Sequence, residues 1–208
     1  ELSSVGAALK LHGVPVIGEA DKKSTAINLF RSLQPNVVLL DMHKSNESSI
    51  EIAQLIRQES PGVGVVILVP CADMRLIGED LLELPVGALL VLKNSLNNLS
   101  VLCEAISASR SFNEDMQVAW VNGAVTLCQK ESKALMSGLS NTQIETLRHV
   151  ADGLTNAEIG RTRFVSEKAI EQILSRVAIT LNIQPDPRKN MRVQLVREYL
   201  KWIGAPTH

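Results

Sequence analysis

With 208 residues, 45% of them apolar and only 3% aromatic, the chain is long enough for one large or two small domains whose cores must be filled by aliphatic side chains. Three scattered cysteines (Cys71, Cys103, Cys128) exclude a disulfide framework and a CxxC zinc site and point to a reduced, cytoplasmic setting; no apolar run reaches the ~18 residues of a membrane span, and no signal peptide is visible. The net charge of −1 is divided unevenly: residues 139–208 carry ten Lys/Arg against seven Asp/Glu, a net +3 that leaves −4 for the rest, which suits a regulatory domain followed by a nucleic-acid module.

The first half alternates helix-like and strand-like stretches. Residues 2–12 read as a helix with Val5, Leu9 and Leu11 apolar, 14–17 as a short strand, and 21–33 as a helix carrying Ile27, Leu29, Phe30 and Leu33. An apolar run at 37–40 closes on Asp41; a helix at 49–58 and a β-branched run at 63–69 follow. A weaker helix is expected at 74–83, a third apolar run at 88–92 closing on Lys93, and a helix at 97–109. Short, wholly apolar strands between helices predict a parallel sheet covered on both faces, a doubly wound α/β domain over residues 1–110. The site of such a sheet lies at the carboxyl ends of its strands, where Asp41 and Lys93 both fall. His43 and His149 are isolated, Gly6, Gly13 and Gly18 do not make GxGxxG, and no Ser-His-Asp or Cys-His arrangement is suggested, so an enzyme is not expected.

Residues 111–138, with Trp120, Asn122-Gly123 and Ser137-Gly138, read as a linker with an ambiguous helical stretch near 125–135. From Leu139 onward everything reads as helix. Ser140 precedes a helix with Ile144, Leu147, Val150 and Ala151 on its core face, stopped near Gly153. Thr155 and Glu158 have the spacing of a capping box, a turn is expected at 163–165, and Ser166 is placed to cap a helix running to about Asn182. Pro185 and Pro187 break the chain before a last helix at about 190–202. On the helix after Ser166, Ile170, Leu174, Val177 and Leu181 recur at spacings of 4, 3 and 4 and form one buried stripe. The opposite face carries Lys168, Glu171, Gln172, Ser175 and Arg176, and a helix so divided can enter a major groove.

The runs Leu139-Ser140-Asn141-Thr142-Gln143-Ile144-Glu145-Thr146-Leu147, Ala151-Asp152-Gly153-Leu154-Thr155-Asn156-Ala157-Glu158-Ile159-Gly160 and Val165-Ser166-Glu167-Lys168-Ala169-Ile170 resemble the LuxR-type helix-turn-helix, with matching spacing through Leu181. The resemblance implies that residues 139–208 form an all-α domain that binds double-stranded DNA as a homodimer, with the helix after Ser166 as recognition helix. The candidate contacts are Thr155, Asn156, Arg163, Ser166, Lys168, Gln172, Ser175 and Arg176, and the last helix would dimerise through Val193, Val196 and Leu200. The chain departs from that pattern at Glu171, where the family usually has Lys, and at Ile173, where it often has His.

The order of elements before residue 110 resembles a response-regulator receiver, a flavodoxin-like α/β domain, best at Val37-Val38-Leu39-Leu40-Asp41 and Gly87-Ala88-Leu89-Leu90-Val91-Leu92-Lys93. By that resemblance Asp41 would accept a phosphoryl group from a sensor histidine kinase, with Lys93 beside it and Mg²⁺ offsetting the charge. The first strand, whose end would hold an acidic pair for Mg²⁺, is missing from the sequence. Val69 and Leu90 stand where the family has a hydroxyl and an aromatic residue. Either a strand lies upstream of Glu1, which we favour, or the sheet closes with residues 14–17 beside 37–40. The sequence thus predicts a two-domain transcription regulator. Its alternatives are a phosphorylation-independent regulator, a protein-interaction module that has lost DNA affinity, or an enzyme with a flavodoxin-like site, against which the missing phosphate loop argues.

Overall fold

In a computed structural model of the chain, residues 2–42, 49–111, 117–121 and 138–205 are described. The chain forms two units: one holds Glu1–Pro70 and Asp80–Ala124, the other Cys71–Glu79 and Val125–His208.

The apolar runs of the first unit become a parallel four-stranded sheet, β1 (Val37–Asp41), β2 (Gly64–Val69), β3 (Leu89–Leu92) and β4 (Ala119–Trp120), in the order β1-β2-β3-β4. Every residue of β2 and β3 is buried, as strands covered on both faces must be. Val66, Leu68, Leu89 and Val91 share one core with Leu9 of helix α1 (Leu2–Leu11) and with Leu102 and Ala105 of α4 (Leu99–Ser109). Alternation along the strand turns Val65, Ile67 and Val69 to the opposite face. Helix α3 (Ser49–Glu59) packs on β1, burying Ile50, Ala53 and Ile56, and α2 (Lys23–Leu33) packs against α3.

Four expectations change. Residues 14–17 form no strand, beside β1 or elsewhere; Val14 and Val16 pack on the α1–α4 core, while β1 takes β2 as its ladder partner. An extended run with no partner for its backbone groups is not a strand. Residues 74–83 form two 3₁₀ turns, Met74–Ile77 and Leu81–Glu83, rather than one helix. Gly78 closes the first turn with φ +84°, and the Asp73 and Asp80 carboxylates accept the backbone N–H groups of Arg75 and Leu82, so side chains replace the helical ladder. The residues read as linker supply β4, where Ala119 pairs with Leu89 and Trp120 with Leu90. Residues 93–97 take a 3₁₀ turn before α4, which starts at Leu99 under an Asn98 cap. The ambiguous stretch near 125–135 and His43 lie outside the described residues.

The second unit consists of α5 (Asn141–Ala151), α6 (Asn156–Thr162), α7 (Glu167–Thr180) and α8 (Met191–Trp202). Its core gathers Ile144, Leu147 and Val150 of α5, Ile159 of α6, Ile170, Leu174 and Val177 of α7, and Leu195 and Tyr199 of α8. Cys71 and Leu76 belong to the same core, although the chain on either side of Cys71–Glu79 belongs to the α/β unit. Polar bonds hold that segment. The buried Tyr199 hydroxyl donates to Leu76 C=O at 2.9 Å, and Arg75 Nη1 donates to Asn141 Oδ1 at 2.9 Å and to Leu139 C=O at 3.2 Å. Burial pushes the Cys71 thiol and the Tyr199 phenol each up to about 12, from ordinary values of 9.0 and 10.0.

Both groups are neutral in the folded chain and ionise sooner when it unfolds. Their contribution is therefore complete below about pH 9 and is lost as pH rises toward 12. Urea midpoints of this unit should hold steady up to pH 9 and fall above it, and Cys71→Ala together with Tyr199→Phe should flatten that fall. At any pH below 9, Tyr199→Phe alone should cost about 1–2 kcal/mol, because Leu76 C=O loses its donor inside the core.

Candidate nucleic-acid interface and strand-end acid site

The three-dimensional form of α5–α7 follows from local chemistry at each helix start. Ser140 and Gln143 form a reciprocal capping box at α5. Thr155 caps α6 through Glu158 N–H at 3.2 Å, but the Glu158 carboxylate pairs with Arg161 instead of returning to the cap, so the expected box is half made. Ser166 caps α7 through Ala169 N–H at 3.2 Å. The α6–α7 turn runs close over α6. Val165 N–H donates to Gly160 C=O at 2.9 Å, and a Cβ on Gly160 would lie 2.7 Å from Val165 C=O. Phe164 takes a left-handed conformation (φ +57°) to make this turn and is 95% exposed.

Helix α7 is divided as its sequence dictates. Ile170, Leu174, Val177 and Ala178 are buried, and Leu181 follows as the C-cap. Ile173 packs at the edge of that core. Lys168, Glu171, Gln172, Ser175 and Arg176 are all exposed. The helix ends at Thr180, two residues before the expected Asn182.

The candidate contact residues fall into two groups. Lys168, Gln172, Ser175 and Arg176 lie together on the outward face of α7; the Ser175 hydroxyl donates to Glu171 C=O at 2.9 Å. Thr155 and Ser166 use their hydroxyls as caps. Asn156 and Arg163 are engaged within the unit. Asn156 Oδ1 accepts from Arg192 Nη1 at 2.7 Å, and Arg192 also donates to Leu154 C=O. Arg163 donates to Thr142 C=O at 2.8 Å and to Thr146 Oγ1 at 2.6 Å and pairs with Glu145 at 3.2 Å. Thr146 is wholly buried, so Arg163 both satisfies it and ties the turn to α5. Sequence reasoning missed this brace and the Arg192 bonds, because nothing in the pattern tells an arginine facing inward from one facing out. On α8, Val193 is exposed, whereas Val196 and Leu200 pack against the unit's own core.

In the α/β unit, Asp41 ends β1 and Lys93 follows β3. Lys93 Nζ stands 2.5 Å from Asp41 Oδ1, and the Asp41 side chain is only 11% exposed. The buried Asp41 Oδ1 thus has charge compensation from Lys93 and no hydrogen-bond partner among the described residues. Ser49 donates to Asp41 C=O at 2.9 Å and fixes the start of α3 beside it. Val69 and Leu90 are completely buried aliphatic residues. No cluster of three or more His, Cys, Asp or Glu forms among the described residues. At Asp41 the neighbouring charge is a cation where Mg²⁺ would need further carboxylates, so the described residues do not fit that ion.

No family profile matches the chain. Among curated proteins it is similar to the DNA-binding transcriptional activator EvgA of Escherichia coli (strain K12), with 21% identity over 164 residues, 79% of this chain and 78% of that one. It is similar to the transcriptional regulatory protein LiaR of Bacillus subtilis, with 28% identity over 189 residues, 88% and 87% of the two chains. The response regulator protein VraR of Staphylococcus saprophyticus matches at 22% over 171 residues, covering 82% and 79%. A solved structure of RcsB from Salmonella enterica serovar Typhimurium bound to a promoter aligns over 96% of this chain and 93% of that one, at 19% identity and a TM-score of 0.49. A parallel sheet with an aspartate and a lysine meeting at its strand ends, followed by a capped helix-turn-helix, is the plan of a transcription regulator of the response-regulator type. Over most of its length the chain is similar to transcription regulators of the response-regulator type, and its second unit has the capped helix-turn-helix arrangement expected from the sequence.

Arg163→Met should act on stability rather than on recognition. Thr146 would lose the donor to its buried hydroxyl, keeping only its own bond to Thr142 C=O, and Glu145 would lose its cation, for a loss of about 1–3 kcal/mol in urea unfolding. Lys168→Met, on the exposed face, should leave the urea midpoint unchanged.

Proposed function

We propose that the chain regulates transcription by binding double-stranded DNA, with α7 as the element that enters the major groove. One observation carries the reading: the side of α7 opposite its buried stripe is exposed and, as far as Arg176, polar, on a helix whose start is fixed by Ser166 and Gly160. Lys168 and Arg176 supply cations for phosphate contacts, and Gln172 and Ser175 supply hydrogen-bonding groups for base edges. EvgA, the relative described as DNA-binding, supports the same reading. The protein acts as a homodimer, with two recognition helices one duplex turn apart; of the three α8 residues expected to dimerise, Val193 is the one left exposed to meet a partner copy. It has no enzymatic activity of its own and works in the cytoplasm. No helix among the described residues is long and apolar enough to cross a membrane.

Asp41 is the phosphoacceptor of this reading. A carboxylate oxygen attacks the phosphorus of a phosphohistidine on a sensor kinase, the P–N bond breaks, and its electron pair leaves on the imidazole nitrogen. Lys93, already beside Asp41, offsets the charge gained. A second reading, regulation without phosphorylation, is favoured by Val69 and Leu90, which are buried aliphatics with no hydroxyl to move toward a phosphoryl group.

Fluorescence anisotropy with promoter fragments, including the chain's own, should show binding that weakens steeply between 50 and 200 mM salt, by roughly tenfold or more for a few phosphate contacts per chain. Absence of salt-sensitive binding to every fragment would overturn the DNA-binding reading. Treatment with acetyl phosphate should give an acid-labile adduct on the native chain and none on Asp41→Asn. If DNA affinity is the same for the native, treated and Asp41→Asn chains, the phosphorylation-independent reading stands.

A further inference from the structure

Glu171 is the departure on α7 that the proposed function leaves unused. At about 100° per residue, Lys168, Gln172, Ser175 and Ile179 occupy the middle of the outward face. Glu167 and Glu171 lie along one flank and Arg176 along the other. Glu171 is exposed, and no ion pair to its carboxylate forms among the described residues. The polar neighbour one turn on, Ser175, bonds to the Glu171 backbone carbonyl and leaves the carboxylate alone. A carboxylate with no cation beside it among the described residues therefore flanks whatever the middle of α7 faces.

A duplex offers such a carboxylate few acceptable neighbours. Phosphates, guanine O6 and N7, and thymine O4 are all acceptors or negative, and each repels it. The donors along the major groove are the amino groups of adenine and cytosine. Adenine sets N7 beside its amino group, whereas cytosine presents its amino group with no acceptor of its own in the groove. From this we infer that Glu171 is a specificity-determining residue, accepting a hydrogen bond from the N4 amino group of one cytosine in each half-site. Specificity of this kind comes largely from exclusion: the carboxylate weakens every register except the one that places a cytosine against it. The inference rests on the proposed DNA-binding function and names what that surface reads. It also gives a reason for an acid on a helix that must approach phosphates.

The full-length chain, Glu171→Ala and Glu171→Gln are each carried through selection from a random duplex pool, and the selected sites are then titrated by anisotropy against copies with the cytosine replaced. All three should melt together, since residue 171 is exposed. For the native chain one C·G position should be worth about tenfold or more in affinity, in the range of a good side-chain-to-base contact. Glu171→Ala should lose that preference and bind random DNA severalfold tighter, because a repulsive charge is gone. Glu171→Gln, which can donate as well as accept, should accept adenine or cytosine there. The inference is overturned if the native and Glu171→Ala chains select the same site with the same preference at every position. It is overturned differently if the native chain binds no DNA and Glu171→Ala does, for then the carboxylate blocks binding instead of reading a base. If neither binds any duplex even at low salt, it is the DNA-binding reading itself that fails.

Discussion

Ile170, Leu174 and Val177 are fully or almost fully buried, and this stripe is the constraint on which the rest of the helical unit depends. A helix has one axis, so fixing one face fixes the other. Burying three large aliphatic side chains contributes on the order of 5 kcal/mol before entropy is counted. Rotating α7 to hide its polar face would forfeit that and bury Lys168, Glu171 and Arg176 without partners. The outward direction of the polar face is thus set by core packing and does not need DNA to hold it. The caps do the complementary work along the axis. Ser166 fixes where α7 begins, and Gly160 lets the preceding turn cross α6 closely enough to fix where that beginning stands.

The segment Cys71–Glu79 shows a second constraint. It leaves the end of β2 and completes the core of the helical unit, with Leu76 buried and its carbonyl capped by the Tyr199 hydroxyl. Asp73 and Gly78 bracket its 3₁₀ turn, so Leu76 is presented on a short turn rather than on a longer helix. A unit that borrows core residues from the sequence of its neighbour does not have all its stability within residues 139–208.

The sequence was most legible where local rules and burial agree. The wholly apolar runs at 37–40, 63–69 and 88–92 became parallel strands, the second and third buried throughout, and the 4-3-4 spacing on α7 became its core. It was least legible where a residue's partner is distant in the chain. Residues 14–17 have the composition of a strand, but strand formation needs a neighbour, and composition carries no information about neighbours. Ala119–Trp120 became a strand because β3 had a free edge beside it, which no local pattern announces. At the strand ends, the shared location of Asp41 and Lys93 was legible from two separate apolar runs, and the 2.5 Å contact follows from the parallel order of β1, β2 and β3.

The cations of the helical unit show why charge counts alone say so little about a binding face. Arg163 serves a buried threonine, Arg192 two backbone and side-chain acceptors near α6, Arg148 the carbonyl of Arg75, and Arg161 its neighbour Glu158. Four of the ten basic residues are thereby engaged in holding the fold. The net charge of +3 overstates what the outward face of α7 can offer to phosphates, where Lys168 and Arg176 stand against Glu167 and Glu171. Two cations per copy are enough to make binding salt-dependent, but phosphate contacts do not tell one site from another. Discrimination on such a face must come from matched hydrogen bonds, for which the exposed polar side chains of α7 are the available groups.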